Sequence, residues 1–132
     1  FDKKGRLLPP VKGKFLNIFG RVKDKKYKTH IVYNGVNIGS KKGTAVRNVF
    51  NGKVLYTGKL EGYGNIVIIV HGNDYHSLYG HLDDIITKGC KLVLPGQIIG
   101  RSGDTGSIIG ESLYFEMRHK GLPVEPTAWL IK

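Results

Sequence analysis

Five histidines, one cysteine and a short row of polar side chains near the C-terminus carry the chemistry that this 132-residue chain has to offer. His71, His76 and His81 recur at equal spacing and suggest zinc, for which imidazole is a preferred ligand. His71 and His76 flank the Gly72-Asn73-Asp74 turn and could approach each other, but His76 and His81 differ by an odd number, and strand geometry sends them to opposite faces. Turn-flanking, solvated histidines are therefore the simpler reading, and His30 and His119 also read as exposed. Cys90 has no partner for an internal disulfide and no CxxC pairing, and Ser112 lacks the sharp glycine-flanked turn of a serine nucleophile. The loop Gly100–Gly106 has glycines enough to cradle an anion, yet no helix follows it to add a dipole. That leaves Ser112-Leu113-Tyr114-Phe115-Glu116-Met117-Arg118, whose alternation puts Leu113, Phe115 and Met117 on a core face and a hydroxyl, a phenol, a carboxylate and a guanidinium on the other. The polar row reads as an exposed wall that needs water or a partner. Tyr33, Tyr63, Tyr79 and Tyr114, at strand ends or on polar faces, are candidates to join it, because an aromatic with a polar tip suits a binding surface.

The elements that must position these groups are short strands. Candidates lie near 31–38, 44–50, 53–60, 65–71, 75–82, 91–94, 97–100 and 112–118, separated by glycine-containing turns, and no segment sustains a helical period. Asn51-Gly52 predicts a two-residue hairpin between 46–50 and 53–60, and Gly72–Asp74 a looser one. Ile66–Val70 is apolar on both faces, so it should run through the middle with protein on each side. The expected fold is all-β: a two-sheet sandwich or partly open barrel with a groove and little or no helix. Residues 1–30, rich in Lys, Gly and Pro, read as a basic extended entry segment packed on a domain spanning 31–132.

Charge is concentrated in that entry segment: ten Lys/Arg against two Asp/Glu leave +8 in residues 1–30, whereas eleven against eight leave +3 in residues 31–132. The body is nearly balanced, which argues against nucleic acid as a partner. No apolar run approaches the ~20 residues of a membrane-spanning helix. The chain starts at Phe1 without a signal-peptide pattern and is expected to be a piece of something longer.

Between Gly35 and Leu130 the ordered series Gly-Val-Asn-Ile, Asn-Gly-Lys-Val, Gly-Tyr-Gly-Asn, Leu-Tyr-Gly-His-Leu, Pro-Gly-Gln-Ile-Ile-Gly, Leu-Tyr-Phe-Glu-Met-Arg and Pro-Thr-Ala-Trp-Leu resembles the LytM domain of M23 peptidases. Active members hold zinc through a histidine, an aspartate four residues later, and the second histidine of a His-x-His that runs into Phe-Glu. The matching positions here are Tyr33, Asn37 and Tyr114, with Ser112 in place of the first histidine of the pair. His81, matching a catalytic histidine, is kept.

The resemblance implies a degenerate domain without metal, cofactor or peptidase activity, in which His81 serves as a hydrogen-bonding group, since a base without an activated water has nothing to deprotonate. Such domains are similar to the EnvC type, which activate peptidoglycan amidases during bacterial cell separation. The implied mechanism is docking of the amidase's regulatory helix in the vacated groove, lined by Tyr33, Asn34, Asn37, Tyr63, Tyr79, His81, Ser112, Tyr114 and Arg118, with Arg118 able to pair with a carboxylate. Periplasmic or cell-envelope location follows from the same resemblance. Peptidoglycan itself, and a cell-division membrane complex reached through a region outside this chain, are further candidate partners. The alternatives are a peptidoglycan-binding or scaffold module, motivated by the +8 segment, and a zinc endopeptidase with atypical ligands such as His71 or His76.

Overall fold

The computed structural model describes residues 5–17, 19–24, 29–107 and 110–131, with backbone alone for 21–24 and 29–32. Among the described residues eleven strands run in chain order: β1 (Gly20–Asp24), β2 (Thr29–Tyr33), β3 (Val36–Gly39), β4 (Ala45–Arg47), β5 (Gly52–Leu60), β6 (Gly64–Gly72), β7 (Tyr75–Ile85), β8 (Leu92–Val93), β9 (Ile98–Ser102), β10 (Ser112–His119) and β11 (Leu122–Val124). Pro126–Ala128 forms a single 3-10 turn. Nine strands join in one antiparallel sheet that does not close, with the path β11-β10-β7-β6-β5-β8, β3 on β10, and β9 bridging β4 and β7. β1 and β2 pair separately as a small antiparallel hairpin.

The all-β architecture follows the period-2 reading, with local differences. The expected strand at 31–38 is two strands broken at Asn34-Gly35, and β11 was not expected at all. Asn51-Gly52 is not a hairpin turn: β4 pairs with β9, and Gly52 opens β5 opposite Val93. Its glycine answers to close approach, since a Cβ there would sit 2.4 Å from the Val70 carbonyl oxygen. The tight two-residue turn is Asn73-Asp74 between β6 and β7, with φ of 51° and 63°, a left-handed pair that Asn and Asp adopt at low cost.

Ile66–Val70 lies in the centre as its two apolar faces require. Val67 and Ile69 face the main core with Val46, Val54, Ile99, Phe115 and Met117, while Ile66 faces a second, smaller cluster with Leu78 and Tyr114. Burying one such aliphatic side chain contributes roughly 1.5–3 kcal/mol, so both faces of β6 hold the sheet in register.

Residues 7–16 are held against the sheet. Leu7 is 1% exposed and forms a parallel bridge with Leu130. Further along, Leu16 N–H donates to the Asn37 carbonyl (2.8 Å) and Gly39 N–H to the Lys14 carbonyl (2.8 Å), so residues 14–16 line the edge of β3 that β10 leaves free.

Candidate functional site

β10 is the strand around which the site is built. Register pairing sets Tyr114 opposite Asn37 of β3 on one side and opposite Gly80 of β7 on the other. Gly80 has no side chain to fill that space, so the Tyr114 ring lies over it, 5.1 Å from the Tyr63 ring and 5.8 Å from the His81 ring. Asn37 donates from Nδ2 to Ser112 Oγ at 3.4 Å. The structure therefore brings together Asn37, Tyr63, His81, Ser112 and Tyr114, five of the residues expected to share a groove.

Four others fall elsewhere or differ in role. Tyr33 ends β2 opposite Gly20, in the hairpin outside the main sheet, and Asn34 follows it, half-buried. Tyr79 does not line a groove: it is fully buried in the main core, its ring 5.4 Å from Phe115, because β7 keeps strict alternation there and pairs it with Phe115 and Val67. Arg118 is half-buried at the far end of the row.

The expected exposed wall is also overturned. Ser112 is 0%, Glu116 1% and Tyr114 9% exposed. The row satisfies itself: Tyr114 O–H donates to Glu116 Oε2 (2.6 Å) and Arg118 Nε–H to Glu116 Oε1 (2.6 Å), with Arg118 Nη1–H continuing to the Gly121 carbonyl (3.1 Å). Gly35 makes this closure possible, since a Cβ there would lie 2.6 Å from Glu116 Cγ and 2.9 Å from the Tyr114 hydroxyl. Burial, reinforced by the hydrogen bond to Glu116 and its charge, pushes the Tyr114 phenol far above its ordinary range. The same carboxylate raises the Arg118 guanidinium further, against a smaller opposing effect of burial, and keeps it cationic.

His81 occupies a backbone position that alternation does not predict. Its φ is +59°, and the β6–β7 register shifts between Asn65 and Val67, so residues 80–81 are accommodated as a bulge. The bulge turns the imidazole onto the Tyr114 face, where parity counting from His76 would have sent it to the opposite one. His76, paired with Arg118, borders the same face. The Thr105 carbonyl receives a hydrogen bond from His81 Nδ1 (2.8 Å), which assigns the proton to that nitrogen and leaves Nε2 an acceptor. The glycine loop expected as a mere connection is what supports this: Gly64 and Gly106, both with positive φ, let the backbones meet so closely that a Cβ on Gly64 would lie 2.1 Å from the Thr105 carbonyl oxygen.

Zinc fits this donor set poorly. The Tyr114 hydroxyl proton is committed to Glu116, the Asn37 amide to Ser112 and His81 Nδ1 to Thr105. What remains is one neutral amide oxygen and one imidazole nitrogen, short of the three protein ligands that a catalytic zinc takes. His71 offers no substitute, since Nδ1 meets the Asn51 carbonyl (2.9 Å) and Nε2 meets Ser77 Oγ (2.7 Å), and no group of three or more His, Cys, Asp or Glu converges among the described residues. His119, expected in solvent, stacks on Tyr75 with centroids 4.0 Å apart, whereas the side chain of His30 lies outside the described residues.

Beside the closed polar row the face opens into a groove of ≈ 350 Å³, floored by Tyr63, Ile68 and Leu78, walled by Leu55 and Leu60, and rimmed by His76 and Arg118. Sequence reasoning found Tyr63 and Arg118 but missed the leucines. The bulge between Val54 and Tyr56 breaks alternation in β5 and brings Leu55, 58% exposed, to the same side as Leu60, 41% exposed.

Among curated proteins, the chain is 36% identical over 122 residues to the murein hydrolase activator NlpD of Escherichia coli, covering 92% of this chain and 30% of that protein. It is 33% identical over 127 residues to the murein hydrolase activator EnvC of the same organism, covering 96% and 29% respectively. The chain thus spans less than a third of the length of these relatives. Among solved structures, a zinc-containing peptidase from Vibrio cholerae superposes with a TM-score of 0.85 at 28% identity, over 97% of this chain and 41% of that one. The model of peptidase family M23 matches residues 32–126, most of the chain, and the chain belongs to that family.

Proposed function

We propose that this domain is a catalytically inactive M23 module that binds and activates a peptidoglycan (N-acetylmuramoyl-L-alanine) amidase in the bacterial cell envelope during cell separation. The observation that carries the reading is the pairing of a spent metal position with an open groove: the side chains at the ligand positions of β3 and β10 are neutral and bonded to neighbours, and an apolar groove with a cationic rim lies beside them. Relatives named as murein hydrolase activators support the same direction.

The groove suits an amphipathic helix of the amidase, its apolar side on Leu55, Leu60, Tyr63 and Ile68 and a carboxylate at Arg118. Binding there favours the amidase conformation whose own active site is uncovered, a population shift set by the difference in affinity for its two states. Purified domain added to a cell-wall amidase should raise dye release from labelled peptidoglycan, and domain alone should release none. Leu60→Asp should abolish stimulation while leaving the fold intact by circular dichroism. Dye release by the domain without amidase, or no stimulation of any cognate amidase, would refute the proposal.

The +8 carried by residues 1–30 favours a second reading, a module that binds peptidoglycan electrostatically. Co-sedimentation with sacculi that disappears as salt rises would support it.

A further inference from the structure

β8 lies at the end of the sheet path opposite β11 and carries a pair of leucines that the proposed function does not use. Val93 is 2% exposed and belongs to the main core, while its neighbours Leu92 and Leu94 face away from it and are 79% and 66% exposed. Leu92 is the most exposed large apolar side chain among the described residues. Outward positions on a strand with one buried face are ordinarily polar, so the pair departs from the alternation that the core requires. The backbone holds it firmly: Val54 N–H donates to the Lys91 carbonyl (2.8 Å), Cys90 N–H to the Val54 carbonyl (2.8 Å) and Asn48 Nδ2 to the Leu94 carbonyl (3.1 Å).

The charge around the leucines is of one sign. Residues 31–60 and 85–103 hold eight of the eleven Lys/Arg of residues 31–132 and no Asp or Glu. Pairing of β4 with β9 and of β5 with β8 brings these two stretches together. At their far side β7 sets Asp83 against Lys42 (3.6 Å) and Asp84 opposite Arg101 in register. Nearer the leucines, Lys53 lies directly opposite Leu92, and Arg47 Nη1–H reaches the Gly96 carbonyl (2.9 Å) just past Leu94. Lys88 and Lys91 sit on the turn that leads into β8 and line one hollow with Ile86, itself 45% exposed. Among the described residues, neither this hollow nor the surface shared by Lys53, Leu92 and Leu94 is lined by an acidic side chain.

We propose that β8 and the turn before it dock on an anionic lipid bilayer, Leu92 and Leu94 entering the apolar layer beneath the headgroups while Arg47, Lys53, Lys88 and Lys91 lie at the phosphates. Both halves of the patch have to be satisfied by one occupant. An acidic polymer would take the cations and leave the two leucines in water. A second copy of this chain, meeting the patch about a two-fold axis, would cover the leucines but set the same cations against one another. A bilayer surface rich in anionic lipid answers both, because lipid tails conform to a protruding side chain without a matching pocket and the headgroups supply the negative charge. The lysine stems suit the same place, since their methylenes can lie with the leucines while the ammonium groups stay at the headgroup level.

This surface shares no lining residue with the groove of Leu55, Leu60 and Tyr63, so the two can be tested separately. Charge alone is no test of it, because residues 1–30 carry +8 and would adsorb to any anionic surface. The leucines are what distinguish docking from adsorption.

The test is co-sedimentation of the protein with vesicles of phosphatidylcholine alone and of phosphatidylcholine mixed with phosphatidylglycerol. Wild type should partition onto the mixed vesicles and far less onto the neutral ones. The double substitution Leu92→Ser, Leu94→Ser should lower that partition about tenfold or more, since each methylene withdrawn from the apolar layer is worth about fourfold. Lys88→Gln and Lys91→Gln should each lower it about fivefold. Leu122→Ser removes a leucine that is 70% exposed on β11, at the other end of the sheet, and should leave the partition unchanged. Equal partition of wild type and the double leucine variant overturns the proposal and assigns the binding to charge alone. An equal loss in Leu122→Ser overturns it too, as does a dimer in sedimentation equilibrium that the double leucine variant abolishes. Absence of wild-type binding to the mixed vesicles overturns it without any variant.

Discussion

Removing the cation from the Glu116 carboxylate should cost more than a surface ion pair and less than a fully buried one. Glu116 is 1% exposed and accepts two hydrogen bonds of 2.6 Å, one from Tyr114 and one from Arg118, whose side chain is 35% exposed. Arg118→Met keeps the aliphatic stem over the sheet and deletes the donor. The lost bond is charge-assisted, about 1.5–3 kcal/mol, and breaking a buried pair reaches about 3–5 kcal/mol when the remaining charge has no recourse. Here Tyr114 still donates, and water can enter along the path that a third-exposed guanidinium occupied, so the lower figure applies: about 2 kcal/mol. For a domain of this size that is a fall in Tm of roughly 6–8 °C. Urea unfolding with linear extrapolation measures it, and a cycle with Glu116→Gln isolates the pair. In the Glu116→Gln background, Arg118→Met should cost less than half as much. A loss below about 0.5 kcal/mol, typical of a surface substitution, or strict additivity of the two changes would refute the reasoning.

Gly64→Ala should prevent soluble expression or cost more than about 3 kcal/mol, because its φ is +71° and the added Cβ would meet the Thr105 backbone at 2.1 Å; chemical denaturation of any soluble product checks this. His71 gives a pH dependence of known sign. Burial lowers its folded-state pKa below the unfolded value of ~6.5, so between the two the unfolded chain binds more protons and stability falls as pH drops through that window. Thermal melts at pH 7.5, 6.5 and 5.5 should show a declining Tm in the wild type and a shallower decline in His71→Gln. Dialysis against zinc followed by elemental analysis should leave well below one equivalent on the domain, and a stoichiometric ion would refute the reading of the ligand positions as neutral and committed. Tyr79→Phe strips a partner from the buried Val49 N–H and Ser77 hydroxyl and should cost about 1–3 kcal/mol in urea unfolding.

The sequence by itself determined the all-β class and the central place of Ile66–Val70, because alternation and residue identity are local properties that a chain carries wherever it folds. It also marked His81 and Arg118 as residues to watch. Three things waited for the tertiary structure. The first is the closure of the Ser112–Arg118 row, which alternation alone leaves facing solvent; the approach of Gly35 and Tyr63 from the turns before β3 and β6 covers it, and Tyr114 meets Glu116 there. The second is the placement of Tyr79 and His81 on different faces of β7, and of Leu55 beside Leu60, because bulges reset the period of 2 and their positions depend on how neighbouring strands pair. The third is the buried chain of His71, Ser77, Tyr79 and Asn48, whose members lie on the loop before β5, on β6 and on β7 and meet through register. Period and composition say which side chains a strand owns; the partner strands decide which of them are buried together and so which are free to bind.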